Sequence, residues 1–410
     1  MTVCHEHYHA LHADMRLALD ACAHQLDHSF YAYDLDGLDS HLATLKQAQA
    51  KLWFAVKANP VSAVIQSLAA QGFGFDVASP GELNQVLAQG VSPDRILNTG
   101  PVKTPAMLRE FLQKGVRIFV LESHQQVHDL EAEAKRLDLS VDVLLRVQLP
   151  WPKSDDGSIN VLGGSDPTPF GLTPEQWLPT EIQFSERLQL RGVHCFQWGN
   201  ILDADELIAN WQGAMPRLAA LLDAWQIAEP VVDLGGGLGI PYTGQSDVID
   251  WQQVCTALAQ LKQQYNLGEC WMELGRYAVG PYGYYVSRVA DVKQNQGVTF
   301  VVIEGGSQHA LRPALTNQAF PVQPLHASEA APLPVQIHGS LCTGLDCLGK
   351  LSLPGDVKRD DWLVFSQAGA YGFTESMPFF LCHSLPAEVT LRGAELTVVR
   401  PAAPAASYLA

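Results

Sequence analysis

The sequence predicts an α/β protein: a (β/α)8 TIM-type barrel followed by an antiparallel β-rich C-terminal domain. Three observations carry this. Eight short apolar runs alternate with stretches of helical periodicity over about residues 50–278, the count that closes a parallel barrel and close to its usual length of roughly 250 residues. From residue 280 onward the pattern changes to two-residue alternation, as antiparallel strands with one solvated face read. The 410 residues also exceed the size at which a single core stops growing, so two domains are expected.

Taken in order, the barrel strands are LWFAVKA (52–58), FGFDVA (73–78), RILNTG (95–100), RIFVLE (117–122), VDVLLRV (141–147), RGVHCF (191–196), PVVDLG (230–235) and CWMEL (270–274). Each has the length and apolar content of a strand buried on both faces. Between them, VIQSLAAQ, GELNQVLAQ, PAMLREFLQK, QQVHDLEAEAKRL and WQQVCTALAQLKQQY repeat apolar residues at three and four, as helices do. An open doubly wound sheet is the alternative, but the first strand–helix turn, KANPVSA, has no glycine-rich dinucleotide fingerprint. Ahead of the barrel, SFYAYDL (29–35) reads as a strand that pairs into the second domain. That domain's own strands are PYGYYVSRVADV, VTFVVIEGG, LPVQIHGSLC, DWLVFSQAG, FFLCHS and AEVTLRG. The boundaries are therefore 1–35 for an N-terminal segment joining the β domain, 36–278 for the barrel and 279–410 for the β-rich domain. Loop 148–173 is rich in Gly, Pro and Asp, a composition and length typical of functional or mobile loops. Neither it nor 310–330 carries a readable pocket motif.

Composition narrows the partners. A net charge of -17 argues against nucleic acid and anionic membrane, and no apolar run is long enough to span a bilayer. The N-terminus carries acids and histidines where a signal peptide has a basic start and an apolar middle; a soluble, cytoplasmic protein is expected. Eight cysteines without paired spacing fit reduced thiols. His5, His9 and His12 would share one helix face, as metal ligands do. A solvated terminus is the better account, and no metal is assigned.

Residues at the carboxyl ends of barrel strands face the active site. There the sequence places Lys57, Asp76, His194, the turn Gly235–Gly236–Gly237, Glu273 and, just beyond, Arg276. Singly each has an ordinary reading: a lysine snorkels to water, a histidine is structural, glycines make a turn. Together they suit one chemistry. A lysine ending a strand buried on both faces is out of place unless its amine works. Desolvation lowers its pKa, so the neutral amine can form a Schiff base with an aldehyde, for which pyridoxal phosphate is the candidate. Backbone N–H groups of Gly235, Gly236 and Gly237 would cradle the phosphate, helped by the positive end of a following helix. Arg276 would pair with the same phosphate, Glu273 would keep the pyridine nitrogen protonated, and His194 would lie against the ring.

Several stretches, FAVKANP, GFGFDVASPGEL, GVHCF, DLGGGLGI, ELGRYAVGPYG, IEGGSQHALRP, GSLCTGLDCLG and GAYG, together resemble the fold-type III (alanine racemase-like) pyridoxal-phosphate enzymes. The resemblance is to the decarboxylase branch, with diaminopimelate and ornithine decarboxylases, and runs from about residue 30 to 373. It implies a carboxy-lyase that is a homodimer with its active site shared between subunits, Cys342 of the neighbour reprotonating the substrate carbanion. It also implies cofactor contacts for Gly275 and Tyr371, a place beside the Schiff base for Asp76, and a grip on a substrate carboxylate for Arg312. Three departures stand out. Thr343 replaces the acid that holds a distal ammonium in diaminopimelate decarboxylases, CFQWGNILDA replaces the usual strand-six continuation with its phosphate-binding serine, and Leu274 replaces a proline. The GNILDA variant within the second of these resembles the siderophore-biosynthesis subgroup, whose substrates are citryl–amino acid intermediates, and Thr343 argues against a free diamino acid. The alternatives are a diaminopimelate-type decarboxylase, a racemase and a non-catalytic carrier of pyridoxal phosphate. Racemases of this fold pair the pyridine nitrogen with an arginine, where this chain has Glu273, and small carriers of this fold lack a second domain.

Overall fold

The computed structural model describes residues 11–150, 167–245, 247–393 and 395–409. The chain divides into two compact units, one formed by His41–Gly239 and Ile249–Gly275, the other by Met1–Ser40, Ile240–Val248 and Arg276–Ala410.

After a first strand, β1 (Phe30–Asp34), which belongs to the second unit, eight strands close the barrel of the first. They are β2 (Lys51–Ala55), β3 (Gly74–Val77), β4 (Ile96–Asn98), β5 (Ile118–Leu121), β6 (Val141–Arg146), β7 (Leu188–His194), β8 (Val231–Asp233) and β9 (Glu269–Leu274). All pairings are parallel, and β9 returns to β2 with Trp53 opposite Glu273. Polar side chains mark where strand gives way to helix. Ser79, Thr104 and Ser123 accept the N–H three residues on, opening Pro80–Ala88, Pro105–Gln113 and His124–Arg136, while Asp203 and Asp250 cap Ala204–Ala224 and Trp251–Gln264. Each such cap satisfies an orphan donor and contributes about 1 kcal/mol.

Inside the barrel Trp53, Leu97, Val120, Leu144, Val231 and Trp271 form one buried cluster. Gly74 makes it possible, because a Cβ there would lie 2.3 Å from the Trp53 indole. At the amino end, Lys51 lays its ammonium 4.3 Å from the Trp53 ring and 4.8 Å from the Trp271 ring, so the cation closes the floor over two aromatic faces.

The second unit is a nine-stranded sheet. Its further strands are β10 (Gly283–Asn295), β11 (Val298–Ile303), β12 (Val322–Pro324), β13 (Pro332–His338), β14 (Cys347–Pro354), β15 (Trp362–Phe365), β16 (Ala387–Arg392) and β17 (Glu395–Arg400), in the order β14-β13-β11-β10-β1-β16-β17, with β15 on β10 and β12. Most pairs are antiparallel, but β1–β16 and β11–β13 are parallel. Phe30, Val286, Val364 and Val389 pack beneath the helix Ala13–Leu26, through Leu19 and Cys22.

Three expectations change. FFLCHS is a single 3-10 turn, Phe380–Cys382, in which Leu381 and Cys382 have φ of 59° and 56°, a left-handed pair that cannot continue a ladder. The β14 strand was not anticipated, since Gly349 and Lys350 break its apolar run. Residues 240–248 leave the barrel for the second unit, an excursion that no boundary drawn from the sequence contains. Of the terminal histidines, His5 and His9 lie outside the described residues, as does most of loop 148–173. Within 310–330 the chain forms the short helix Arg312–Thr316 and β12. The described cysteines are all free, and no described helix is long and apolar enough to cross a membrane.

Candidate active site

Side chains alternate along a strand, so the residue two beyond each member of the apolar interior layer lies one layer nearer the carboxyl rim. From Leu97, Val120, Leu144, Val231 and Trp271 that step reaches Thr99, Glu122, Arg146, Asp233 and Glu273; from Gly74 and Gly192 it reaches Asp76 and His194. All seven are buried. The barrel therefore carries a polar ring above an apolar floor.

Lys57 differs from its sequence expectation. β2 ends at Ala55, and Lys57 occupies a 3-10 turn, Val56–Ala58, closed by the Asn59 N–H on the Val56 carbonyl at 3.0 Å. On that turn Lys57 is exposed rather than buried. Its charge still reaches the rim: it helps hold Glu273 low and partly offsets the rise that burial imposes on Asp76 and Glu82.

His194 Nε2 and Glu273 Oε1 face each other at 3.3 Å. Burial pushes the Glu273 carboxyl up, but His194, Lys57 and Arg146 outweigh it and hold Glu273 below its ordinary value. Asp233 goes the other way: burial and the charge of Glu273 raise it well above the carboxylate range, against the Gly235 N–H that its Oδ1 accepts at 2.9 Å. Of this coupled pair Glu273 is the anion and Asp233 the proton holder. Asp76 accepts from Thr99 Oγ1 at 2.6 Å and is raised to about 8, chiefly by burial and then by Glu273. Behind them Arg146 pairs with Glu122 at 3.2 Å, both buried. Lys103, also buried, donates to the Gly100 carbonyl at 2.5 Å and is lowered to about 8, first by burial. Asp233, Thr99, Lys103, Glu122 and Arg146 were not among the residues picked from sequence. The two-residue step would have found all but Lys103, because each ends or follows a recognised strand.

The glycine turn is bound to this ring. Glu273 donates its N–H to the Gly235 carbonyl at 2.7 Å, a Cβ on Gly236 would lie 2.2 Å from the Glu273 carbonyl, and Gly235 and Gly237 have φ of +63° and +97°. No other residue type fits three such positions in a row. The expected helix does not follow: Leu238 bridges Ile201, and the next helix begins at Trp251. Where the motif departs after strand six, Gln197 bonds both the N–H and the carbonyl of Leu149, at 2.8 and 2.6 Å, tying the end of β7 to the loop after β6.

A phosphorylated pyridine fits these groups. His194 Nδ1 and Asp233 Oδ2 are buried without a hydrogen-bond partner, and His194 Nε2 and Glu273 Oε1 have none beyond their mutual ion pair, whereas buried polar atoms ordinarily have one. They can serve a polar ring, and the close-packed glycine turn admits a phosphate against backbone. His194, Asp233 and Glu273 also offer atoms within 4.8 Å of one another, a set able to hold a divalent cation.

In the second unit, Arg276 donates to the Tyr242 hydroxyl. It shares the ring of Tyr371 with Arg312, the guanidinium carbons lying 5.0 and 4.8 Å from the ring centre. Tyr371 has φ of 53°, a left-handed position. Cys342, exposed, and Thr343 stand on the turn Gly339–Asp346, which Asp346 holds by accepting the N–H groups of Ser307 at 2.6 Å and Leu341 at 2.5 Å. The structure thus gathers Lys57, Asp76, His194, Glu273 and Gly235–Gly237 in one unit, and stacks Arg276, Tyr371 and Arg312 in the other.

Comparison with known proteins follows this geometry. The family model described as pyridoxal-dependent decarboxylase, pyridoxal binding domain, matches residues 37–280. The diaminopimelate decarboxylase of Campylobacter jejuni is 30% identical over 358 residues, covering 85% of this chain and 87% of that protein. The 2-[(L-alanin-3-ylcarbamoyl)methyl]-2-hydroxybutanedioate decarboxylase of Staphylococcus aureus is 27% identical over 385 residues, 90% of this chain and 94% of its own. The crystal structure of Helicobacter pylori diaminopimelate decarboxylase complexed with L-lysine shares the fold, with a TM-score of 0.85 at 22% identity over 95% of this chain and 98% of that one.

Proposed function

Because the chain belongs to the pyridoxal-dependent decarboxylases, a carboxy-lyase reaction with pyridoxal phosphate is the premise, and we propose that its substrate is an amino acid joined to a carboxylate-rich, citryl-like group. The observation that carries the substrate reading is Thr343, neutral where a diamino-acid enzyme of this family would hold an ammonium with an acid. The Staphylococcus aureus relative, whose name describes such a conjugate, supports it.

When bound, the cofactor supplies an electron sink for the pair left on the substrate α-carbon as CO2 departs. Lys57 would be the amine that holds the cofactor's aldehyde carbon, its exposed side chain standing on the turn Val56–Ala58. Glu273, kept ionised by His194, would hold a proton on the pyridine nitrogen, and His194 would lie against the ring. Asp76, positioned by Thr99, keeps its proton and so leaves the neighbourhood of Lys57 without a second competing anion. The Gly235–Gly237 turn would take the phosphate through the backbone N–H groups that Asp233 does not already hold, and Arg276 and Tyr371 would serve as further phosphate contacts. Arg312 grips a substrate carboxylate. Cys342 of the partner subunit returns a proton to the α-carbon, which makes the working species a homodimer.

Two measurements test this. Borohydride should bleach a yellow holoenzyme and fix the cofactor on the peptide containing Lys57; an adduct elsewhere refutes the assignment. CO2 release from citryl-2,3-diaminopropionate should exceed that from meso-diaminopimelate. The reverse ranking would favour the second reading, a diaminopimelate decarboxylase, which the Campylobacter jejuni relative supports.

A further inference from the structure

We propose that Glu375 is the specificity gate of the carboxylate grip: an internal carboxylate that occupies Arg312 until a substrate carboxylate displaces it. The proposal deepens the reading given above and rests on Arg312 being the grip.

Arg312 opens the helix Arg312–Thr316, and its guanidinium is laid over the Tyr371 ring at 4.8 Å. Glu375, at the end of the 3-10 turn Phe373–Glu375, accepts from Arg312 Nη1 through Oε2 at 2.9 Å. The hold is partial. Arg312 Nε is buried with no hydrogen-bond partner, whereas a guanidinium fork can give two parallel bonds to one carboxylate.

The two partners are also unequally placed. The Arg312 side chain is 17% exposed and pinned against an aromatic face; that of Glu375 is 40% exposed. Glu375 can therefore swing into water while the cation stays where it is. An incoming carboxylate that engages two donors gains a bond the resident acid does not make, and then leaves Glu375 hydrated. A ligand offering only an amine or hydroxyl has nothing to exchange for the broken ion pair. The gate thus selects for carboxylate-bearing side chains, and it does so at the cost of affinity for all of them.

Citrate is a suitable probe on the holoenzyme, by calorimetry and by competition against turnover. Glu375→Gln keeps the turn's shape and an acceptor but removes the charge. Citrate should then bind more tightly, by up to about five-fold, as release of a partly exposed ion pair allows, and substrate KM should fall more than kcat changes. Glu375→Asp, one methylene shorter and out of reach, should act in the same direction and covers the case in which the glutamine variant folds poorly. Unchanged or weaker citrate binding in both variants overturns the gate. Arg312→Gln separates the two layers: if it binds citrate as tightly as the parent, the grip assignment itself is wrong, whereas loss of binding there with no gain in the Glu375 variants rejects only the gate.

Discussion

Asp76 keeps its proton until about pH 8 because it is buried beside Glu273, with Lys57 and Thr99 only partly relieving the pressure. A carboxyl whose folded pKa lies above its unfolded one stays protonated in the native state after the unfolded chain has ionised. The native state then binds more protons, and stability falls as pH climbs from the ordinary 3.8 towards 8. Urea unfolding of the apoprotein at pH 5 and pH 8 should show this decline, and Asp76→Asn should flatten it; an unchanged slope would mean that Asp76 titrates normally. The Arg146–Glu122 pair gives a second expectation. Both side chains are almost fully buried, so Glu122→Gln strands a buried guanidinium and should cost about 3 kcal/mol in the same assay. Lys57, Asp76, His194 and Glu273 were legible from sequence because a charge at the end of an apolar run stands out. Asp233 hid within a glycine turn, and Arg146 and Glu122 looked like ordinary strand ends. The exposure of Lys57 was not legible, since it depends on a turn that begins one residue after the strand stops.

At the scale of elements, the barrel's middle layer turns on one complementary pair. Gly74→Ala would drive a methyl into the Trp53 indole, 2.3 Å away, an overpacking expected to cost about 1–3 kcal/mol. Trp53→Ala removes the ring and leaves a cavity worth about 3–5 kcal/mol. The double variant should be more stable than the sum of the two predicts, because the new methyl has a void to fill; strict additivity in thermal unfolding would show that the two sites do not touch. All eight barrel strands were readable because strands buried on both faces declare themselves as apolar runs. The second sheet was harder. FFLCHS has strand composition but left-handed backbone at Leu381 and Cys382, and β14 has strand backbone but a diluted pattern. Composition alone ranks those two in the wrong order.

For the whole molecule, the proposal that the site is shared in trans makes a quantitative demand. Lys57→Ala and Cys342→Ala would each be inactive as pure dimers. Mixed and allowed to exchange subunits, they should recover about a quarter of parental activity, since half the dimers are mixed and each carries one intact site. No recovery would place both residues in one subunit's own site. The path of the chain between units, with 240–248 crossing over and back, escaped the sequence because nothing in IPYTGQSDV marks a change of neighbourhood. The tryptophan pair at the barrel floor has a practical consequence of its own. Trp53 and Trp271 stand 5.1 Å apart, one layer under the polar ring and screened from solvent quenchers. Their emission falls where a bound pyridoxal chromophore absorbs, so uptake of the coenzyme can be titrated by the dimming of intrinsic fluorescence, with no label and no turnover.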